Sequence, residues 1–299
     1  MLLAPLGMLY GASVAWKARH ARPYRATAHI VCVGNLTAGG SGKTPVALAI
    51  AARLQARRDR VFFLTRGYGG SEHGPAQVQA SGDAARMGDE ALLLARCAPT
   101  IVSRDRAGGA AYAAARGAEI IVMDDGHQNF SLAKDLSIVM VDGESGFGNG
   151  LMIPAGPLRE PVAQGLARAD AVIVMNKGEP DLGRYQGPVL RARLTAERGI
   201  LQGQKVFAFA GIGRPEKFVA SLEEAGAIVT GTHFFADHHP FRTGEIAALK
   251  ARAGQAHLVT TEKDYVRLDP QDRAGIAVLP VRAVFENEAA LDQLLGRIA

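Results

Sequence analysis

An apolar run, Ile30 to Val33, passes through Gly34-Asn35 into a glycine-rich turn, and the turn ends in Gly42-Lys43-Thr44. No other feature constrains the fold as strongly. The Walker pattern is G-x-x-x-x-G-K-[ST]. Gly42, Lys43 and Thr44 match its end, while Thr37 stands at the first glycine position. Gly39, Gly40 and Gly42 let backbone N–H groups turn inward around phosphate oxygens. The helix that starts near Lys43 adds the partial positive charge of its N-terminus. Lys43 then reaches the β- and γ-phosphates of a nucleotide, and the Thr44 hydroxyl is a ligand for Mg²⁺. A plain turn explains the glycines but not Lys-Thr at a helix start after a strand. The predicted nucleotide-binding segment is therefore Thr37, Ala38, Gly39, Gly40, Ser41, Gly42, Lys43 and Thr44.

Such a loop needs a parallel sheet behind it. Further continuous apolar runs occur at Val61 to Thr65, Ile120 to Met123, Ile138 to Val141 and Ala171 to Met175. Helix-like stretches separate them, at Pro45 to Gln55, Asp89 to Cys97 and Gly108 to Arg116. Apolar strands alternating with helices predict an α/β fold with a parallel sheet covered on both faces. The pattern changes near Gly183 to Gln204, where Val189 to Leu194 alternates and Glu197-Arg198-Gly199 makes a turn; this reads as a β-ribbon linker. A smaller α/β unit follows, with strands at Val206 to Ala210, Ile228 to Thr230, His257 to Thr260 and Ile276 to Val281, and helices at Pro215 to Glu224 and Gly244 to Ala253. The expected division is 1–25 for an N-terminal helix, 26–185 for the P-loop core, and 186–299 for the smaller unit with its linker. A chain of 299 residues, 48% apolar, has the size for two such units.

Ile120-Ile121-Val122-Met123 ends in Asp124-Asp125. An acid at the end of a strand beside the loop is the second P-loop requirement, and one of these two can hold Mg²⁺ through water. Paired acids after an apolar strand also serve simple solvation of a strand end.

Net charge is +5, with no long basic run, which argues against nucleic acid as a partner. Cys32 and Cys97 lack CxxC spacing and a neighbouring His cluster, so neither a disulfide framework nor a zinc site is expected, and a reducing cytoplasm suits the chain. Leu2 to Trp16 is almost wholly apolar and is followed by Lys17, Arg19, Arg22 and Arg25. A helix of about 15 residues rises roughly 22 Å, short of the roughly 30 Å hydrocarbon core. A signal peptide carries its charge before the apolar run. A buried core helix competes with a helix lying in the membrane plane, its Tyr10, Trp16 and basic residues at the headgroups; the in-plane reading is favoured.

The string Gly34-Asn35-Leu36-Thr37-Ala38-Gly39-Gly40-Ser41-Gly42-Lys43-Thr44-Pro45 resembles the phosphate loop of the tetraacyldisaccharide 4'-kinase family, which also shows Thr where a Walker glycine is usual. Thr65-Arg66-Gly67-Tyr68-Gly69-Gly70, Gly88-Asp89-Glu90, Asp124-Asp125-Gly126-His127-Gln128, Pro154-Ala155-Gly156-Pro157-Leu158-Arg159-Glu160-Pro161, Asn176-Lys177-Gly178, Asp237-His238 and Thr261-Glu262-Lys263-Asp264 resemble further motifs of that family, in its order. One departure is Asn129, where the family commonly has His. The resemblance implies a kinase that uses ATP and Mg²⁺ to phosphorylate the 4'-hydroxyl of an acylated glucosamine disaccharide 1-phosphate lipid. It also implies an enzyme held peripherally on the cytoplasmic side of the inner membrane. By the same resemblance Asp89 is the base, supported by His238, and Arg159 and Glu160 line the nucleotide or metal region, with Glu160 joining Thr44, Asp124 and Asp125 as metal candidates. From the residues alone, Asp89 also reads as an N-cap of the helix from Glu90, and Asp237-His238-His239 as a loop or a metal site. Arg104 and Arg106 are weaker candidates for phosphate. Two rivals are a nucleotide-switch ATPase with a deviant Walker loop, which expects a lysine where Ala38 stands, and a nucleotide-binding scaffold, which needs neither Asp89 nor His238.

Overall fold

The fold is a computed structural model that describes residues 3–39, 42–57, 59–197 and 199–298. In chain order the strands are β1 (His29–Asn35), β2 (Val61–Thr65), β3 (Ala76–Gln77), β4 (Thr100–Val102), β5 (Ile120–Asp124), β6 (Leu136–Asp142), β7 (Ala171–Met175), β8 (Val189–Ala196), β9 (Lys205–Ala210), β10 (Ile228–Phe234), β11 (His257–Thr261), β12 (Ile276–Leu279) and β13 (Val281–Phe285). The helices are α1 (Ala4–His20), α2 (Lys43–Ala56), α3 (Ala84–Met87), α4 (Asp89–Ala95), α5 (Arg106–Ala114), α6 (Val162–Leu166), α7 (Pro215–Glu224), α8 (Thr243–Ala253), α9 (Glu262–Tyr265) and α10 (Glu288–Leu295).

Two sheets result. The larger runs β13-β8-β7-β6-β1-β5-β2-β4-β3, and the smaller β10-β9-β11-β12. Pairing is parallel from β8 through to β4, with β13 and β3 added antiparallel at the two edges. The smaller sheet is parallel throughout. In β2, β5, β6 and β7 every residue is buried, which is why these strands read as unbroken apolar runs rather than alternations. Successive residues of β1 point to opposite faces. Val31 and Val33 pack with Val46, Ile50 and Leu54 of α2, while Ile30 and Cys32 pack with Ala110 and Ala113 of α5. The smaller sheet is covered likewise, by Phe218 and Leu222 of α7 on one face and Ile246 and Leu249 of α8 on the other.

The ribbon has a return limb that the sequence reading did not include. β8 pairs with β7, the chain passes into the smaller sheet, and β13 returns antiparallel on β8, with Val281 opposite Ala196 and Phe285 opposite Ala192. Leu291, Leu294 and Leu295 of α10 then join the core around α2, and Arg53 of α2 pairs with Glu288 and Asp292 at 2.5 and 2.8 Å. By sheet membership, residues on both sides of the smaller sheet lie with the larger one, so the expected division at 185/186 is crossed a second time near the C-terminus.

Helix α1 buries only Gly7, Gly11 and Val14. The two glycines rest on Met152. Leu3, Leu6, Met8, Leu9, Tyr10 and Trp16 are exposed, Met8 and Leu9 by 69% and 70%, so α1 is not a core helix. Its last turn carries Lys17, Arg19 and His20. Among the described residues, no helix is long and apolar enough to cross a membrane.

Candidate active site

β1 lies between β5 and β6, and the chain reaches these neighbours on opposite sides. The crevice beyond the C-terminal ends of such strands is the general ligand site of open α/β sheets. The loop after β1 enters it. Gly42, the N-cap of α2, has φ +74°, a left-handed conformation that costs glycine little. Gly40 and Ser41 lie outside the described residues. The start of the loop is clamped by the Pro157-Leu158-Arg159 segment: Ala38 N–H donates to the Pro157 carbonyl at 2.7 Å, Arg159 N–H donates to Leu36 at 2.7 Å, and Thr37 bridges Leu158.

The end of β5 faces this loop. Thr44 Oγ1 donates to Asp124 Oδ2 at 3.1 Å, and Lys43 Nζ lies 3.7 Å from Asp125 Oδ1. Arg159 Nη1 reaches both Asp125 oxygens, at 2.8 and 3.0 Å. The two acids differ sharply. Burial works against the Asp125 charge, but Lys43 and Arg159 outweigh it and hold the carboxyl below its ordinary value. Burial, and then the nearby Glu90 charge, push Asp124 up to about 7 despite Lys43. Asp124 Oδ1 is buried without a hydrogen-bond partner among the described residues. A buried carboxylate with an orphaned oxygen beside a Thr hydroxyl is short of a cation. That donor set fits Mg²⁺, which takes one or two protein oxygens and fills its remaining positions with phosphates and water.

Glu160 is placed differently from the other metal candidates. It is 1% exposed and its oxygens are engaged by Arg168 Nη2 at 2.5 Å and Gln128 Nε2 at 2.9 Å. His127, also buried, accepts from or donates to Ser137 Oγ at 3.0 Å and the Gly165 carbonyl at 2.9 Å. Because a carbonyl only accepts, Nε2 carries the ring proton and Nδ1 accepts the Ser137 hydroxyl. Burial depresses its pKa to about 4, so the ring is neutral. Asn129 takes the Ser131 hydroxyl on its side chain and Lys134 on its backbone carbonyl. Arg106 is buried and donates to the Ser103 carbonyl; burial lowers its pKa to about 10.

Asp89 is the first residue of α4, after Gly88 at φ +88°. Its side chain is 3% exposed. Oδ1 accepts the Glu90 N–H at 2.8 Å, but the N-cap of α4 is Gly88 and Asp89 is its first helical residue, so Asp89 does not hold the N-cap position expected for it. Oδ2 lies 3.0 Å from His238 Nδ1. His238 stands 149 residues further on, beyond β10 in the smaller unit, in a left-handed conformation with φ +59°. Its N–H donates to the Gly211 carbonyl at 3.1 Å, and its ring meets Tyr68 edge-on at 5.5 Å. Lys263 and Arg267, in and just after α9, complete the surroundings of Asp89 at 4.0 and 3.7 Å. The Thr261-Glu262-Lys263-Asp264 string was visible in the sequence, but Arg267 carried no motif signal.

A phosphate loop with its acidic partner on one sheet, and a carboxylate–imidazole pair closed from a second, define a P-loop phosphotransferase. The chain belongs to the family of the tetraacyldisaccharide-1-P 4'-kinases, whose profile matches residues 1–299. It is 54% identical to the tetraacyldisaccharide 4'-kinase of Paramagnetospirillum magneticum, over 99% of this chain and 94% of that protein. With the enzyme of the same name from Methylobacterium radiotolerans it shares 51% identity, over 97% of this chain and 91% of the relative. In three dimensions it is similar to the Aquifex aeolicus LpxK crystal structure described as an "apo" form in complex with ATP. That match has a TM-score of 0.81 and 26% identity, and covers 100% of this chain and 99% of the other.

Proposed function

We propose that this protein transfers the γ-phosphoryl group of ATP to the 4'-hydroxyl of a tetraacylated glucosamine disaccharide 1-phosphate, a step of lipid A synthesis. The observation that carries the reading is the 3.0 Å contact between Asp89 of the P-loop unit and His238 of the smaller one, since a nucleotide-binding scaffold has no use for such a pair. Phosphoryl transfer depends on positioning and charge neutralisation more than on covalent chemistry. Lys43 and the loop amides hold the phosphates. Thr44 and Asp124, with Asp125 beside them, would hold Mg²⁺, and Glu160 would join them only by leaving Arg168. A bound Mg²⁺ would supply neutralisation of the phosphate charge. Arg159 keeps Asp125 in place against Lys43. Asp89 takes the proton of the attacking hydroxyl, and His238 orients its carboxylate.

The exposed apolar face of α1 lies in the plane of the membrane on its cytoplasmic side, with the basic residues after Trp16 at anionic headgroups. The acyl chains of the substrate then stay in the bilayer while its sugars meet the site. The test is phosphorylation of the disaccharide 1-phosphate lipid by purified protein with ATP and Mg²⁺. Folded protein that binds ATP yet transfers no phosphate to that lipid would sink the proposal.

A further inference from the structure

The mechanism above leaves the cationic side of the Asp89–His238 pair without a role. Lys263 Nζ lies 3.3 Å from His238 Nε2, 4.0 Å from Asp89 Oδ2 and 3.5 Å from Glu90 Oε1. Its side chain is only 25% exposed. An ammonium group donates and cannot accept. At this contact Nε2 therefore offers its lone pair, and the proton of a neutral ring sits on Nδ1, where it is donated to Asp89 Oδ2.

We propose that Lys263 is a positioning residue for the base: by donating to Nε2 it fixes His238 in the Nδ1–H tautomer, so that the ring's one proton is directed at Asp89 and orients its carboxylate. The inference rests on the kinase reading and on Asp89 as base.

The groups around His238 oppose one another. Asp89 faces one ring nitrogen at 3.0 Å, and Asp237, on the same loop, approaches the other at 3.9 Å. A single ring proton can serve only one of them. Tyr68 meets the ring only edge-on. Lys263 stands 3.3 Å from the nitrogen that Asp237 approaches, and an ammonium donating there excludes a ring proton from Nε2. Glu90 holds Lys263 from the far side. Arg267 is 7% exposed and is tied down by donating to the Gly211 carbonyl at 2.8 Å and the His239 carbonyl at 3.1 Å, and by pairing with Asp264. It cannot swing to replace Lys263. Without the Lys263 donor, Asp237 draws the ring proton to Nε2, and Nδ1 has none to give Asp89.

The experiment is kcat and KM for the full chain with ATP, Mg²⁺ and the acylated disaccharide, comparing the wild type with Lys263→Gln, Lys263→Met and Lys263→Arg. Gln and Arg still donate to Nε2, and Met does not. In Met kcat should drop by about tenfold with KM for ATP unchanged, while Gln and Arg stay within about twofold of the wild type. An unchanged kcat in Met, or an equal loss in Gln and Arg, overturns the proposal. If Met prevents folding, Lys263→Ala takes its place. Asp89→Asn is measured in parallel. Full turnover in that variant would show that the base assignment itself is wrong, whatever the Lys263 variants do.

Discussion

Asp89 has two jobs that one substitution separates. Its Oδ1 takes the Glu90 N–H at the start of α4, and its Oδ2 takes His238. Asn at this position keeps a carbonyl oxygen for the helix but has no basic carboxylate. Asp89→Asn should fold and bind ATP as the wild type does, and turn over about 100- to 10,000-fold more slowly. His238→Ala should lose a similar or smaller factor, and the double variant should be little worse than Asp89→Asn, because groups acting as one unit are not additive. Unfolding of Asp89→Asn in a thermal melt would make a structural role at the start of α4 the dominant one. His127 gives a prediction of a different kind. Its ordinary pKa of 6.5 falls to about 4 in the fold, chiefly through burial. Between those values the unfolded chain binds the extra proton, so this group's contribution to stability, at most about 3 kcal/mol, is lost as pH falls from 6.5 towards 4. Asp124, raised by burial to about 7, acts in the opposite sense across the same window. Metal-free urea unfolding should therefore show little net slope from these two groups in the wild type. His127→Gln should become less stable as pH rises towards 7, relative to that baseline. An unchanged slope in His127→Gln would mean that His127 is charged in the fold.

At the scale of elements, the clearest separation is between α1 and the rest. Its packing is confined to Gly7, Gly11 and Val14, so little core energy is lost with it. Removing residues 1–22 should leave the unfolding transition of the remainder nearly unchanged while lowering the fraction that sediments with anionic liposomes. Equal sedimentation of the truncated chain would place the anchor on another surface, and aggregation would mean that α1 is needed to cover the core. Most of the elements that line the candidate site were legible beforehand because their signal is local. Gly42-Lys43-Thr44 and Asp124-Asp125 follow buried parallel strands, Gly88-Asp89-Glu90 follows the short α3, and none of the three needs a distant partner to be noticed. β4 and β13 escaped for physical reasons. Thr100–Val102 is three residues long, and Val281–Phe285 is a partly exposed edge strand separated from β12 only by Pro280. The commitments of Glu160 to Arg168, and of Lys263 to His238, were illegible because they are tertiary contacts that no spacing encodes.

At the scale of the whole molecule, the proposed mechanism requires two sheets to meet. Two covalent crossings, after β8 and before β13, join them, and the Asp89–His238 contact spans the gap. A second bridge lies elsewhere along the same junction. Asp142, at the end of β6, accepts the Ser145 N–H and hydroxyl at 3.0 Å and faces Arg214 and Lys217 of the smaller unit at 3.6 and 3.8 Å; Lys217 also pairs with Glu144 at 3.2 Å. Arg214 and Lys217 are each 44% exposed, so these pairs are worth only about 0.2–1 kcal/mol each. Their value is in geometry, since they hold the smaller sheet over the larger one without touching Asp89 or Lys43. Replacing both by Ala should lower the melting temperature by no more than about 5 °C, because so little energy is involved. It should lower kcat by about 3- to 10-fold, as the closed arrangement that brings His238 to Asp89 becomes less populated. The effect of the replacement should be larger at low ionic strength than at high, because salt screens exposed pairs. Steady-state kinetics with ATP varied separates this from the alternative. A rise in KM for ATP with unchanged kcat would assign Arg214 and Lys217 to nucleotide binding, and closure would then depend on the Asp89–His238 side alone.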